Sequence, residues 1–101
     1  MVSTGLVIRL SAAPGREADV TRFLDEVIPI VNAEPDTTAL FAVQFGPSEY
    51  GIINAFRDQR GLQDHLAGHA AALLSAQAAQ LFAAPPAIEA ITILGSKLPG
   101  A

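Results

Sequence analysis

Two histidines, the only two in the chain, stand four residues apart in HLAGHAAALL, His65 to Leu74. On a continuous helix through Leu62, Leu66 and Leu73, a step of about 100° per residue puts His69 inside the apolar stripe and His65 at its edge. Three chemistries fit such a pair. A metal site would use both imidazoles on one face, but it needs further ligands, and the Glu of an HExxH motif is missing. Gly68 also weakens the helix between them, so no protein-bound metal is expected. Alternatively, each ring is half-buried and satisfied by a backbone carbonyl or water. In the third reading a neutral imidazole at a pocket edge accepts and returns a proton near neutral pH.

Asn54 is the second anomaly. In YGIINAF it shares a strand face with Tyr50, Ile52 and Phe56, so a carboxamide interrupts an apolar row. Burying it without partners would cost about 1–3 kcal/mol. A neighbouring backbone group or the Tyr50 hydroxyl could satisfy it. It could instead be aimed into a cavity, holding a ligand oxygen or stabilising developing negative charge. Other chemistries lack their residues. There is no cysteine, which removes disulfides, thiolate nucleophiles and thiolate metal sites. No serine lies in a G-x-S-x-G elbow, and GPSEYG lacks the lysine of a phosphate loop. Glu17, Asp19, Asp25 and Glu26 have the pattern of a solvated helix face.

The elements that must position these residues are legible from period. TGLVIRLS, Thr4 to Ser11, alternates Leu6, Ile8 and Leu10 against Val7 and Arg9, as a strand does. Val20, Phe23, Leu24, Val27 and Val31 then fall on one helical stripe, giving a helix over roughly 16–33. Pro29 should loosen its last turn, and Pro35 should follow its end. TALFAVQF and YGIINAFR flank GPSE and predict a hairpin. Asp58 is placed to cap a helical segment from about Gln59, with Gly68 able to split it in two. The proline pair at 85–86 stops that segment, and Ile88 to Leu94 predict a fourth strand. The order β-α-β-β-α-β is ferredoxin-like α+β, a four-stranded antiparallel sheet with its helices on one face, in a single domain spanning 1–101.

Composition sets the surroundings. Half of the 101 residues are hydrophobic and 16% are charged, against an average near 25%. The strands LFAVQF, GIINAF and AITIL are apolar on both faces, whereas a sheet open to water on one side should alternate. A second copy covering the open face, a homodimer, is the expected remedy. A net charge of −4 leaves no basic stripe, so neither nucleic acid nor an anionic membrane is an expected partner. MVSTGLVIRL has no charged leader before its apolar part and is interrupted by Arg9, so a cytoplasmic location is expected.

The segments VIRLSAAPGREADVTRFL, NAFRDQRGLQDHLAGHAAAL and LFAAPPAIEAITILGSKL together resemble the antibiotic biosynthesis monooxygenase domain family, small dimeric α/β-barrel proteins, over nearly the whole chain. The most specific part is an acidic residue after the third strand followed by a helix bearing His-x-x-x-His, here Asp58, His65 and His69. The family includes cofactor-independent oxygenases of aromatic polyketides, quinol oxygenases and haem-degrading enzymes. Where it often has an acidic residue, one intervening residue and then tryptophan, this chain has Asn54, Ala55 and Phe56. The haem-degrading branch also has a first-strand asparagine and a bulky tryptophan, both absent here.

The resemblance thus implies a monooxygenase that needs no cofactor, acting with O2 on a small hydrophobic aromatic such as a phenol, anthrone or quinol. His65 would move the proton, Asn54 would stabilise the anion, and Phe56, Tyr50 and His69 would contact the ring. The competing expectation is a dimeric protein that binds a hydrophobic metabolite without turning it over, with haem cleavage the weakest of the three.

Overall fold

Leu6, Ile8 and Leu10 are buried and Arg9 is exposed in the computed structural model, which describes residues 1–99. They lie on β1 (Thr4–Ser11), whose helix-side residues meet β3 (Glu49–Phe56) in the register Leu6 to Asn54, Ile8 to Ile52 and Leu10 to Tyr50. β2 (Thr37–Gly46) and β4 (Ala87–Thr92) complete an antiparallel sheet of order β2-β3-β1-β4. The expected ferredoxin-like α+β architecture is therefore present. β4 ends two residues before Leu94, whose side chain is 97% exposed and so gains no burial from extending the strand.

The helices cover one face. α1 (Glu17–Asn32) buries Val20, Phe23, Leu24, Val27 and Val31, the stripe read from the sequence. Phe23 meets Phe82 edge to face at 6.3 Å. Helix α1 runs on through Pro29, and its end tightens, with the Glu34 N–H donating to the Val31 carbonyl at 2.9 Å. That tightening sets where Glu34 leaves the helix. At the other end, the Ser48 hydroxyl of the β2–β3 turn donates to Glu17 at 2.8 Å and holds its carboxyl below the ordinary range. Glu17 is thus tied to the hairpin, although its face is otherwise solvated.

The second helical segment is two helices, α2 (Gln59–Leu66) and α3 (His69–Leu81). Asp58 caps α2, accepting a hydrogen bond from the Gly61 N–H at 3.0 Å. Gly68 is extended between the helices, so the continuous stripe expected through both histidines does not exist. No helix among the described residues is long and apolar enough to cross a membrane.

The other sheet face stays open in the single chain. Phe41 and Phe45 are 59% and 53% exposed there, beside the partly covered Val7, Val43, Ile53 and Ile91. Its charges are Arg9, Glu49 and Glu89, and the Arg9 guanidinium sits 4.7 Å over the Phe45 ring. Helix-side packing and capping should carry the fold's stability. Leu10→Ala is expected to lower unfolding free energy by about 2–5 kcal/mol, and Asp58→Ala by about 1 kcal/mol. Urea denaturation at fixed protein concentration checks both; equal effects would contradict this division.

Candidate active site

Four side chains from separate places in the sequence join in one hydrogen-bonded chain. Glu34 follows the tightened end of α1, Thr37 opens β2, Asn54 lies in β3 and His65 in the last turn of α2. The Thr37 hydroxyl donates to Glu34 Oε1 at 2.7 Å. His65 Nδ1 lies 2.7 Å from the same oxygen, and Asn54 Nδ2 lies 3.1 Å from His65 Nε2. Asn54 is 1% and His65 6% exposed.

These contacts fix the hydrogens. An ionised carboxylate can only accept, so Nδ1 must carry the imidazole proton that reaches Glu34. In the neutral ring Nε2 then holds a lone pair, and only the amide N–H of Asn54 can satisfy it. The Asn54 carbonyl oxygen is therefore turned away from the ring. It is buried and, among the described residues, has no hydrogen-bond partner.

Packing holds the arrangement in place. Phe56 lies behind the imidazole, ring centroids 5.4 Å apart, and is buried with Leu6 and Leu62. Gly61 lets α2 approach the α1–β2 connection, since a Cβ there would stand 3.0 Å from the Asp36 carbonyl oxygen. A side chain at this position would push α2 away from the loop that carries Glu34.

Asn54 and His65 line a cavity of about 190 Å³ whose walls are otherwise mostly apolar, including Ile8, Phe23, Ile52 and Leu74. Two more lining residues, Leu66 and Ile88, are exposed. His65 also borders a second cavity, shared with Glu34, Asp36, Asp64 and His69. The imidazole thus stands between an apolar chamber and an acidic cleft. Among the described residues, no group of three or more His, Asp or Glu is arranged to hold a metal.

The structure brings Asn54 and His65 together: of the two readings of Asn54, neither a backbone group nor Tyr50 holds its amide, and the residue lines the cavity. The expected ring contacts lie elsewhere. Tyr50 is buried in the main core beside Leu10, and Phe56 is behind His65, so neither lines the apolar chamber. His69, as the first residue of α3, is exposed and borders the acidic cleft, because the break at Gly68 turns it off the stripe. Glu34 escaped sequence reading because it lies beyond the last helical turn, where period carries no information. The available signal was an acidic residue immediately before the proline that separates helix from strand.

In a comparison with solved structures, the NE2512 protein of unknown function from Nitrosomonas europaea is 48% identical, over 100% of this chain and 98% of that chain, with a TM-score of 0.96. The chain belongs to the family of that protein. Members of the NE2512 family thus share this fold with more distant proteins. Rv0793 from Mycobacterium tuberculosis is 18% identical over 93% of this chain and 97% of that one, with a TM-score of 0.84. A Caulobacter crescentus protein provisionally named an antibiotic biosynthesis monooxygenase is 16% identical over 93% and 92%, with a TM-score of 0.80. At these identities the likeness carries the fold alone. No family model and no curated protein matches the chain.

Removing Glu34 would leave the His65 N–H buried without its carboxylate. Glu34→Ala should lower unfolding free energy by about 1–3 kcal/mol, and Glu34→Gln, which keeps a carbonyl acceptor, should lose less. Urea denaturation of the two variants tests this; an unchanged Glu34→Ala would contradict it.

Proposed function

We propose that the apolar chamber takes an electron-rich hydroxyaromatic and promotes its reaction with O2, with no cofactor. The observation that carries this reading is a buried imidazole with Nδ1–H anchored on Glu34 and its Nε2 lone pair on the chamber side. A carboxylate that fixes the tautomer and steadies the imidazolium is the arrangement a histidine base requires.

The steps follow from that geometry. Asn54 gives up its hold on Nε2, and His65 takes the hydroxyl proton, leaving a phenolate and an imidazolium paired with Glu34. The phenolate passes one electron to O2, and the resulting radical and superoxide combine at a ring carbon. Loss of water from the hydroperoxide gives a quinone, so that one phenol and one O2 yield one quinone and one water. Asn54 was expected to stabilise the anion, but in the neutral state its N–H faces His65. Once Nε2 is protonated, a half-turn of the amide lets Oδ1 accept from Nε2–H and frees the amide N–H for the oxyanion. The imidazolium returns its proton to the ring peroxide to form the hydroperoxide, so both hydrogens lost from the phenol leave in the water and none is released.

Several further observations rank the readings. The distant relatives' monooxygenase name agrees with oxygenation. Both ring nitrogens of His65 are already engaged by protein partners, which disfavours haem iron ligation there. The same engagement of Nε2 by Asn54 supports the second reading, a protein that holds a hydrophobic metabolite without proton transfer. In either case we assign the exposed Phe41 and Phe45 face to contact with a second copy, since a patch this apolar is uncommon on a monomer.

Oxygen uptake with hydroquinones and anthrones, assayed with a chelator present, tests the catalytic reading. Saturable uptake that falls at least tenfold in His65→Ala is expected. Binding without uptake would leave the sequestering reading, and unchanged turnover in His65→Ala would remove His65 from the mechanism. Light scattering at micromolar concentration should give twice the 10.5 kDa chain mass; a species at the chain mass would overturn the assembly.

A further inference from the structure

The cavity has a size and one unmet polar demand, and together they describe its occupant. The demand is for a donor. Asn54 Oδ1 is an acceptor in a side chain 1% exposed, with no partner among the described residues, on a residue that lines the chamber. Its orientation is not arbitrary, because Glu34 fixes the proton on Nδ1 and the lone pair at Nε2 claims the amide N–H. A buried carbonyl oxygen left unpaired costs about 1–3 kcal/mol, which a ligand hydroxyl or N–H would recover. An ether, a ketone or a carboxylate cannot supply that hydrogen, and a carboxylate would also meet the carbonyl's negative end.

The size restricts the skeleton. A cavity of 150 Å³ lined by apolar side chains holds one benzene ring in a well-studied engineered case. About 190 Å³ here leaves room for that ring and a small substituent; besides Asn54 and His65 the one lining side chain with a polar group is Ser75, which is exposed, like Leu66 and Ile88, and so keeps its own access to water. We propose that this chamber selects a neutral, single-ring phenol whose hydroxyl donates to Asn54 Oδ1, in preference to its ethers, to anions and to fused tricyclic compounds. The proposal rests on the chamber being the ligand site of the function proposed above, and narrows the phenols, anthrones and quinols considered there.

Phenol, anisole and benzoate are suitable probes, since they differ chiefly in the donor and the charge. Calorimetric titration of the intact protein should give phenol at least tenfold tighter binding than anisole or benzoate. In Asn54→Ala the preference for phenol over anisole should shrink to within twofold. 9-Phenanthrol, a three-ring phenol, should fail to displace phenol. Equal binding of phenol and anisole to the unaltered protein, a preference that survives in Asn54→Ala, or displacement by 9-phenanthrol would overturn the proposal. The unaltered-protein comparison stands even if the variant does not fold. Because these titrations read binding alone, donor selectivity without oxygen uptake from any hydroquinone would retain this inference while the catalytic reading fails.

Discussion

An imidazole buried to 6% exposure must find a partner for each nitrogen, and that demand organises the centre of this protein. Glu34 meets Nδ1 and Asn54 meets Nε2. Neither partner is close to His65 in sequence; the separations are 31 and 11 residues. The bond to Glu34 depends on the tightened end of α1, on Thr37 holding the same carboxylate oxygen, and on Gly61 letting α2 come near. The bond to Asn54 depends on the β1–β3 register, since a one-residue slip would turn Asn54 to the open face.

The consequence of satisfying His65 is that Asn54 cannot satisfy itself. Its N–H is used by the ring, and its carbonyl faces away without a partner. A packed core made only for stability would remove such a group, since two apolar residues of matching shape avoid the cost. The polar chain beside an apolar chamber is better understood as a site in which a small unmet demand selects the guest. The acidic cleft gives the His65 ring a second opening, separate from the exposed Leu66 and Ile88 side of the chamber.

Much of this architecture was legible in the sequence, because period two and period 3.6 report directly which face of an element is buried. Leu6, Ile8 and Leu10 defined one strand face, and Val20 through Val31 defined the helix that covers it. Asn54 stood out for the same reason: it broke an apolar row. The rest was not legible because it depends on what lies across from each residue. Nothing in the local pattern says that Asn54 faces His65 in preference to Tyr50, or that a carboxylate beyond the end of α1 reaches a ring on α2. Only a continuous helix puts His69 on the apolar stripe, and Gly68, the weak point of that segment, divides it into two helices and turns His69 to the surface. The open face carrying Phe41 and Phe45 was anticipated from strands apolar on both sides.

The central claim is that Glu34 holds His65 as the Nδ1–H tautomer, leaving Nε2 as the acceptor that orients Asn54. Long-range proton–nitrogen NMR of the ligand-free protein at about pH 9, above the ordinary imidazole range, reads that tautomer directly. The account predicts a protonated-type Nδ1 and an imine-type Nε2 for His65, with the Nδ1 signal reverting toward a tautomer mixture in Glu34→Ala. A ring protonated at Nε2 would contradict it, because Asn54 would then have to turn its carbonyl to the imidazole and the chamber would offer a donor in place of an acceptor.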